Sequence, residues 1–198
     1  MEFDFLVPID NEIIDYKNHL SSQHIGGVMA LHTDDAFPDL SEVKIALVGV
    51  LENRGDEGVA TVVDLTSVRK SLYGLFMGNW KMGIADLGDI LAGNSTMDTY
   101  FAVKKVVASL IKKGIVPIVI GGSQDLTYAL YRAYDELEQM VNLVAIDNKF
   151  DFGKETDRLS STSYLTKMGI DSPNNLFNYC NIGYQSYYHS QAAIDIIE

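Results

Sequence analysis

Two short polar motifs, each directly after a β-branched apolar run, constrain this chain most. Gly121-Gly122-Ser123-Gln124-Asp125 follows Val116-Pro117-Ile118-Val119-Ile120, and Asp147-Asn148-Lys149-Phe150-Asp151 follows Leu143-Val144-Ala145-Ile146. Short apolar runs that end in Gly or Asp and are separated by a helical pattern read as parallel strands of an α/β sheet. Ligands of open parallel sheets sit outside the carboxyl ends of the strands. Both motifs therefore point to the edge where such a fold keeps its chemistry.

The alternation runs along most of the chain. Residues 44–50 read as a buried strand, and the Gly- and charge-rich stretch 53–59 as the loop after it. A helix is expected from near Asp64 through Val68, Leu72 and Leu75, with Gly74 and Gly78 weakening its end. Met82 to Leu87 is the next strand. Asn94-Ser95-Thr96 then offers an N-cap to a helix with Tyr100, Val103, Val107, Leu110 and Ile111 as its apolar stripe. Lys112-Lys113 sits in the last turn of that helix and Gly114 at its C-terminal cap. After strand 116–120, Asp125 reads as the N-cap of a helix carrying Leu126, Ala129, Leu130, Ala133 and Leu137 on one face. Residues 143–147 form the fourth strand, Cys180 to Tyr184 the fifth, and 152–178 a long loop with one helical turn. Residues 11–20 suit a short helix within an otherwise irregular arm, 1–40. Residues 41–198 form one α/β domain. The expectation is a three-layer α/β/α fold with a mainly parallel sheet and right-handed crossovers.

Composition narrows the partners. Net charge is −12, from 27 acidic against 15 basic residues, which argues against nucleic acid or an anionic membrane as partner. No apolar run approaches the ~20 residues of a membrane span, and the acidic Met1-Glu2-Phe3-Asp4 lacks the pattern of a secretory signal. A cytoplasmic location is expected. The single Cys180 rules out an internal disulfide and reads as a small buried hydrophobe at a strand start. His19, His24 and His32 lie early and His189 late, so the α/β core between them has no imidazole for metal or proton chemistry.

These motifs resemble those of the ureohydrolase family of arginase, agmatinase and formiminoglutamase. That family carries Gly-Gly-Asp-His-Ser after one strand and Asp-Ala-His-x-Asp after the next, which supply ligands to two manganese ions. Ile84-Ala85-Asp86-Leu87-Gly88-Asp89 is similar to its short strand ending in Asp-x-Gly-Asp, and Ser67-Val68-Arg69 to its first helix with an embedded arginine. The likeness covers roughly residues 40 to 185. It implies an arginase-like fold, incomplete at its C-terminal side, because nothing like the family's Ser-x-Asp-x-Asp motif occurs from Phe152 onward. Gln124 and Lys149 stand where the family has metal-binding histidines. Asp147 and Asp151 remain as the metal-ligand candidates.

On an extended backbone Asp147, Lys149 and Asp151 would project to one side. Three arrangements fit them: Lys149 replaces the metal's charge by pairing with an aspartate, one metal persists on a remnant site, or the groups are unrelated surface charges. A protonated Lys cannot ligate a metal and repels an incoming cation. Gly121-Gly122 reads as a sharp strand-end turn. A phosphate cradle is disfavoured by Asp125 and by the lack of a P-loop lysine. Gly88-Asp89 reads as a strand-ending turn. Ser160, Ser161 and Ser163 lack a nearby base for a nucleophile. Tyr184, Tyr187, Tyr188 and His189 form an aromatic patch suited to an interface or to packing.

Two functions follow from the resemblance. One is a degenerate ureohydrolase domain that binds or scaffolds, with no catalytic residues and no cofactor. The other is a manganese-dependent hydrolase of a guanidino or formimino substrate whose remaining ligands lie outside this chain. Ala192 to Ile197 is apolar enough to begin a helix, and an unfinished sheet would leave an exposed edge. The expected partners are a second copy or a missing C-terminal half.

Overall fold

The computed structural model describes residues 3–56, 63–153 and 158–195. The end of the expected 53–59 loop and the Ile196–Glu198 end of the expected last helix lie outside the described residues. Two compact units emerge: residues 3–53 with 63–122, and residues 54–56 with 123–153 and 158–195.

The first unit opens with β1 (Leu6–Val7), α1 (Asn11–Asn18), α2 (Ile25–Val28) and β2 (Ala30–Leu31). It continues with β3 (Val43–Leu51), α3 (Thr66–Tyr73), β4 (Gly83–Leu91), α4 (Thr96–Lys112) and β5 (Val116–Ile120). The strand order is β1-β4-β3-β5, with β2 also on β4. All these pairings are parallel except β1 with β4. The residues expected to be an irregular arm thus supply strands to both ends of β4. Two-residue strands carry no alternation long enough to be read from sequence.

The consecutive residues Ala46, Leu47, Val48, Gly49 and Val50 of β3 are all buried. Side chains alternate between faces, so both faces of the strand are covered. Ile9, Ile13, Met29 and Tyr73 pack with Leu47 on one side, and α4 packs on β4 and β5. Ser95 caps α4 as anticipated, in a capping box with Asp98.

The Gly88-Asp89 reading is corrected. β4 runs on to Leu91, and the register passes from Leu47↔Asp86 to Gly49↔Asp89, a bulge with Gly88 at φ +85°. A Cβ at Gly88 would lie 1.9 Å from the Val7 carbonyl oxygen, so only glycine fits. The bulge brings both flanking aspartates onto one arginine. Arg69 grips Asp86 with Nε at 2.8 Å and Nη2 at 3.2 Å, and its Nη2 lies 2.8 Å from Asp89. The Tyr73 hydroxyl donates to Asp86 at 2.8 Å. Burial opposes the Arg69 charge, but the two carboxylates outweigh it and hold the guanidinium protonated.

The second unit contains α5 (Leu126–Glu136), β6 (Val141–Ile146), α6 (Tyr164–Ile170), β7 (Leu176–Ile182), a 3₁₀ turn (Ser186–Tyr188) and α7 (Gln191–Asp195). β6 and β7 pair in parallel as a separate two-stranded sheet. Relative to the sequence reading, β7 begins at Leu176 rather than Cys180, and α6 is two turns where one was expected. Cys180 is exposed, not buried. β6 and β7 alternate partly buried and exposed residues, which leaves Val144, Ile146, Phe177 and Ile182 uncovered. α5 packs on α6, and its Tyr128 and Tyr131 hydroxyls bond Asp171 and Asn174.

Candidate functional site

The site lies in the second unit, where α5 begins and β6 ends. The Asp147 N–H still donates to Ile182 of β7 at 3.1 Å. Its carboxylate then turns the chain: Oδ1 accepts from the Lys149 N–H at 3.0 Å, a local bond that Asp forms readily in place of a ladder. Asp151 sits at φ +52°, a left-handed conformation uncommon for residues with a Cβ. The backbone from Asp147 to Asp151 is therefore folded, not extended, and the expected projection of three side chains to one side does not occur. Asp151 is buried, Asp147 half-buried and Lys149 exposed.

Gln124 and Asp147 meet, as the two motifs implied. The Gln124 side-chain amide donates to Asp147 Oδ2 at 2.5 Å, and the Tyr164 hydroxyl lies 3.5 Å from the same nitrogen. An ionised carboxylate only accepts, so the amide must turn its NH₂ toward it. Burial works against the charge of Asp147, but the Gln124 amide and the backbone N–H groups of Lys149 and Asn148 prevail and hold it below the usual carboxylate value. Asp151 goes the other way. Burial first, then the charge of Asp147, pushes it up to about 6. Its Oδ2 is buried without a hydrogen-bond partner. Burial and the nearby Asp151 and Asp147 charges also push the Tyr164 hydroxyl upward.

Lys149 does not pair with either aspartate among the described residues. Its ammonium lies over the Tyr188 ring, 5.8 Å from the centroid. The turn at Asp147 uses the Lys149 backbone and leaves its side chain pointing elsewhere. Asp125 occupies the expected N-cap position, but its backbone is already helical and its side chain caps nothing. Its carboxylate accepts from the Ser161 hydroxyl at 3.2 Å, while Ser161 Oγ accepts from the Gln124 N–H at 3.1 Å. Ser163 Oγ donates to the Arg158 carbonyl at 2.9 Å. These serines are structural ties around the first motif.

His189, expected only as part of an aromatic patch suited to an interface or to packing, packs against the Asp147–Asp151 loop. Its ring stacks on buried Phe150 at 4.1 Å, and its Nε2 lies 3.4 Å from the Asn148 carbonyl oxygen. An imidazole from far along the chain thus reaches the Asp147–Asp151 loop. The aromatic run 184–189 was the available signal, but nothing in it says which loop it covers.

The donor set does not fit a pair of divalent ions. The unpartnered Asp151 oxygen is the one feature that favours a cation. Against it, Asp147 is engaged by a neutral amide. Among the described residues no three His, Cys, Asp or Glu side chains gather closely enough to hold a metal, whereas manganese sites need a set of carboxylate and imidazole ligands.

Fold and site together define a mainly parallel α/β protein with a carboxylate site at its strand ends. The Arginase family model matches residues 62–197, more than half of the chain, and the chain belongs to that family. A formimidoylglutamase of Halobacterium salinarum is 30% identical over 117 residues, covering 54% of this chain and 38% of that protein. The manganese-bound Trypanosoma cruzi formiminoglutamase superposes with a TM-score of 0.70 at 17% identity, over 80% of this chain and 58% of that one. An agmatinase-like protein of Burkholderia thailandensis gives a TM-score of 0.60 at 15% identity, over 81% and 60%. At such identities the structural likeness shows the fold alone. The chain spans less than two thirds of the length of each of these relatives.

Proposed function

We propose that this chain is an arginase-family domain that does not run metal-dependent hydrolysis by itself and serves a binding or scaffolding role. The Gln124 amide on Asp147 carries this reading. It satisfies, with a neutral donor, the carboxylate that a divalent ion would otherwise hold. A hydroxide activated between two metals needs most of a ligand set. Gln124 and Lys149 stand at two of the positions that the family resemblance assigns to ligands. In the test, chelator-stripped protein is dialysed against manganese and gel-filtered. It is expected to retain no stoichiometric manganese. It should release neither urea from arginine or agmatine nor formamide from formiminoglutamate. Two manganese ions per chain with turnover of any of these overturns the proposal.

A second reading rests on two observations, the 30% identity to a formimidoylglutamase and the unpartnered buried oxygen of Asp151. Here Asp147 and Asp151 belong to a hydrolase of formimino or guanidino compounds whose other ligands lie outside this chain. Formamide release that appears only in a longer form of the protein supports it.

A further inference from the structure

The first unit holds a cleft of its own. It encloses about 680 Å³ between the segment around α2 and the loop leading from α3 to the amino end of β4. That volume falls within the range of ordinary small-molecule sites. Its lining contains none of Gln124, Asp147 or Asp151.

The walls are held by backbone hydrogen bonds. Ile25 donates to Leu75 at 2.8 Å, Met77 to Gln23 at 2.9 Å, and Trp80 to Met77 at 3.3 Å. The His24 ring, tied to Ser21 Oγ at 3.0 Å, stacks on one face of Phe76 at 4.5 Å. The opposite side of Phe76 is open: this residue is 68% exposed, and Trp80 is 72% exposed. Both rings line the same cleft. Burying one large apolar side chain stabilises by about 1.5–3 kcal/mol, so two neighbouring aromatic residues held out on a braced loop forgo a large gain. Exposed apolar clusters of this kind mark binding sites.

Charge selects the occupant. Lys81 is the single charged residue in the lining, on a chain of net charge −12. Aromatic faces offer stacking, and one ammonium offers a partner to one anionic group. We propose that this cleft binds a planar aromatic anion, a ring system carrying a carboxylate or sulfonate, with the rings against Phe76 and Trp80 and the anionic group at Lys81.

Trp80 is the only tryptophan of the chain, so its fluorescence reports this cleft directly. The probe is 8-anilinonaphthalene-1-sulfonate, followed by energy transfer from Trp80. Saturable transfer at one site is expected. Lys81→Ala and Phe76→Ala should each weaken it roughly tenfold, as loss of a charged hydrogen bond or a ring contact does, with unchanged circular dichroism. N-Phenyl-1-naphthylamine, which lacks the sulfonate, should bind wild type and Lys81→Ala alike. Transfer that does not saturate, or that both variants leave intact, overturns the proposal. So does a Trp80 emission maximum that moves with protein concentration, because a second copy of the chain then fills the cleft.

Discussion

Replacing Asp151 by Asn should stabilise the metal-free protein at neutral pH. Burial and the Asp147 charge raise the Asp151 carboxyl from its ordinary 3.8 to about 6 in the folded chain. A raised acid binds its proton more tightly folded than unfolded. Stability therefore falls as pH climbs from about 4 through about 6, because the native state holds more protons there. At 1.36 kcal/mol per pH unit, that rise amounts to about 3 kcal/mol lost by pH 7. Asn cannot ionise, yet its amide can donate to Asp147 as the protonated acid does, and it tolerates the left-handed backbone at φ +52° better than most residues. The variant should gain up to about 3 kcal/mol over wild type at pH 7. At about 2–4 °C per kcal/mol for a chain of this size, that is roughly 6–12 °C in Tm. The assay is urea unfolding and thermal melting from pH 4 to 8 in chelator, for both proteins. Equal pH slopes in the two would show that Asp151 titrates normally and refute the electrostatic account of the site. A variant that is less stable than wild type only when manganese is present would instead restore a metal role for Asp151.

Arg69→Met should cost about 3–5 kcal/mol, since it strands two carboxylates beside a core that one guanidinium now neutralises; a loss below 1 kcal/mol in urea unfolding would contradict the buried network. Lys149→Met should change stability by no more than about 0.5 kcal/mol, the usual range for an exposed side chain outside any tight contact. A large loss on melting would mean that Lys149 does pair with Asp147 or Asp151. The chain should self-associate: Val116 and Ile118 of the end strand β5, and Ile146 of β6 at 85% exposure, present uncovered apolar strand residues. Sedimentation velocity that returns a monomer at all concentrations would rule this out.

The α/β class and the placing of the site were legible because both depend on local pattern. β-branched runs specify buried strands, and the Ser95 cap and the stripe through Val103, Val107 and Leu110 specify α4 wherever the rest of the chain lies. Gln124 and Asp147 could be paired from sequence because each follows the end of a parallel strand. A resemblance to known motifs supplied the rest. Cys180 was misjudged because burial belongs to the whole sheet: the same strand is buried or bare depending on what covers it.

Other features depended on contacts between distant residues. The bulge at Gly88 exists because Val7 crosses there and Arg69 draws in Asp86 and Asp89, contacts between segments up to 81 positions apart (88 − 7). Lys149 was expected to answer the aspartates by charge, but a backbone bond to Asp147 turned its side chain toward Tyr188. His189 joined the site through a stack on Phe150 that no spacing encodes. Local sequence thus determined the longer strands and helices of the α/β core. Tertiary structure decided which of those polar groups are desolvated and which partner each one finds, because both depend on neighbours that the chain brings together only when it folds.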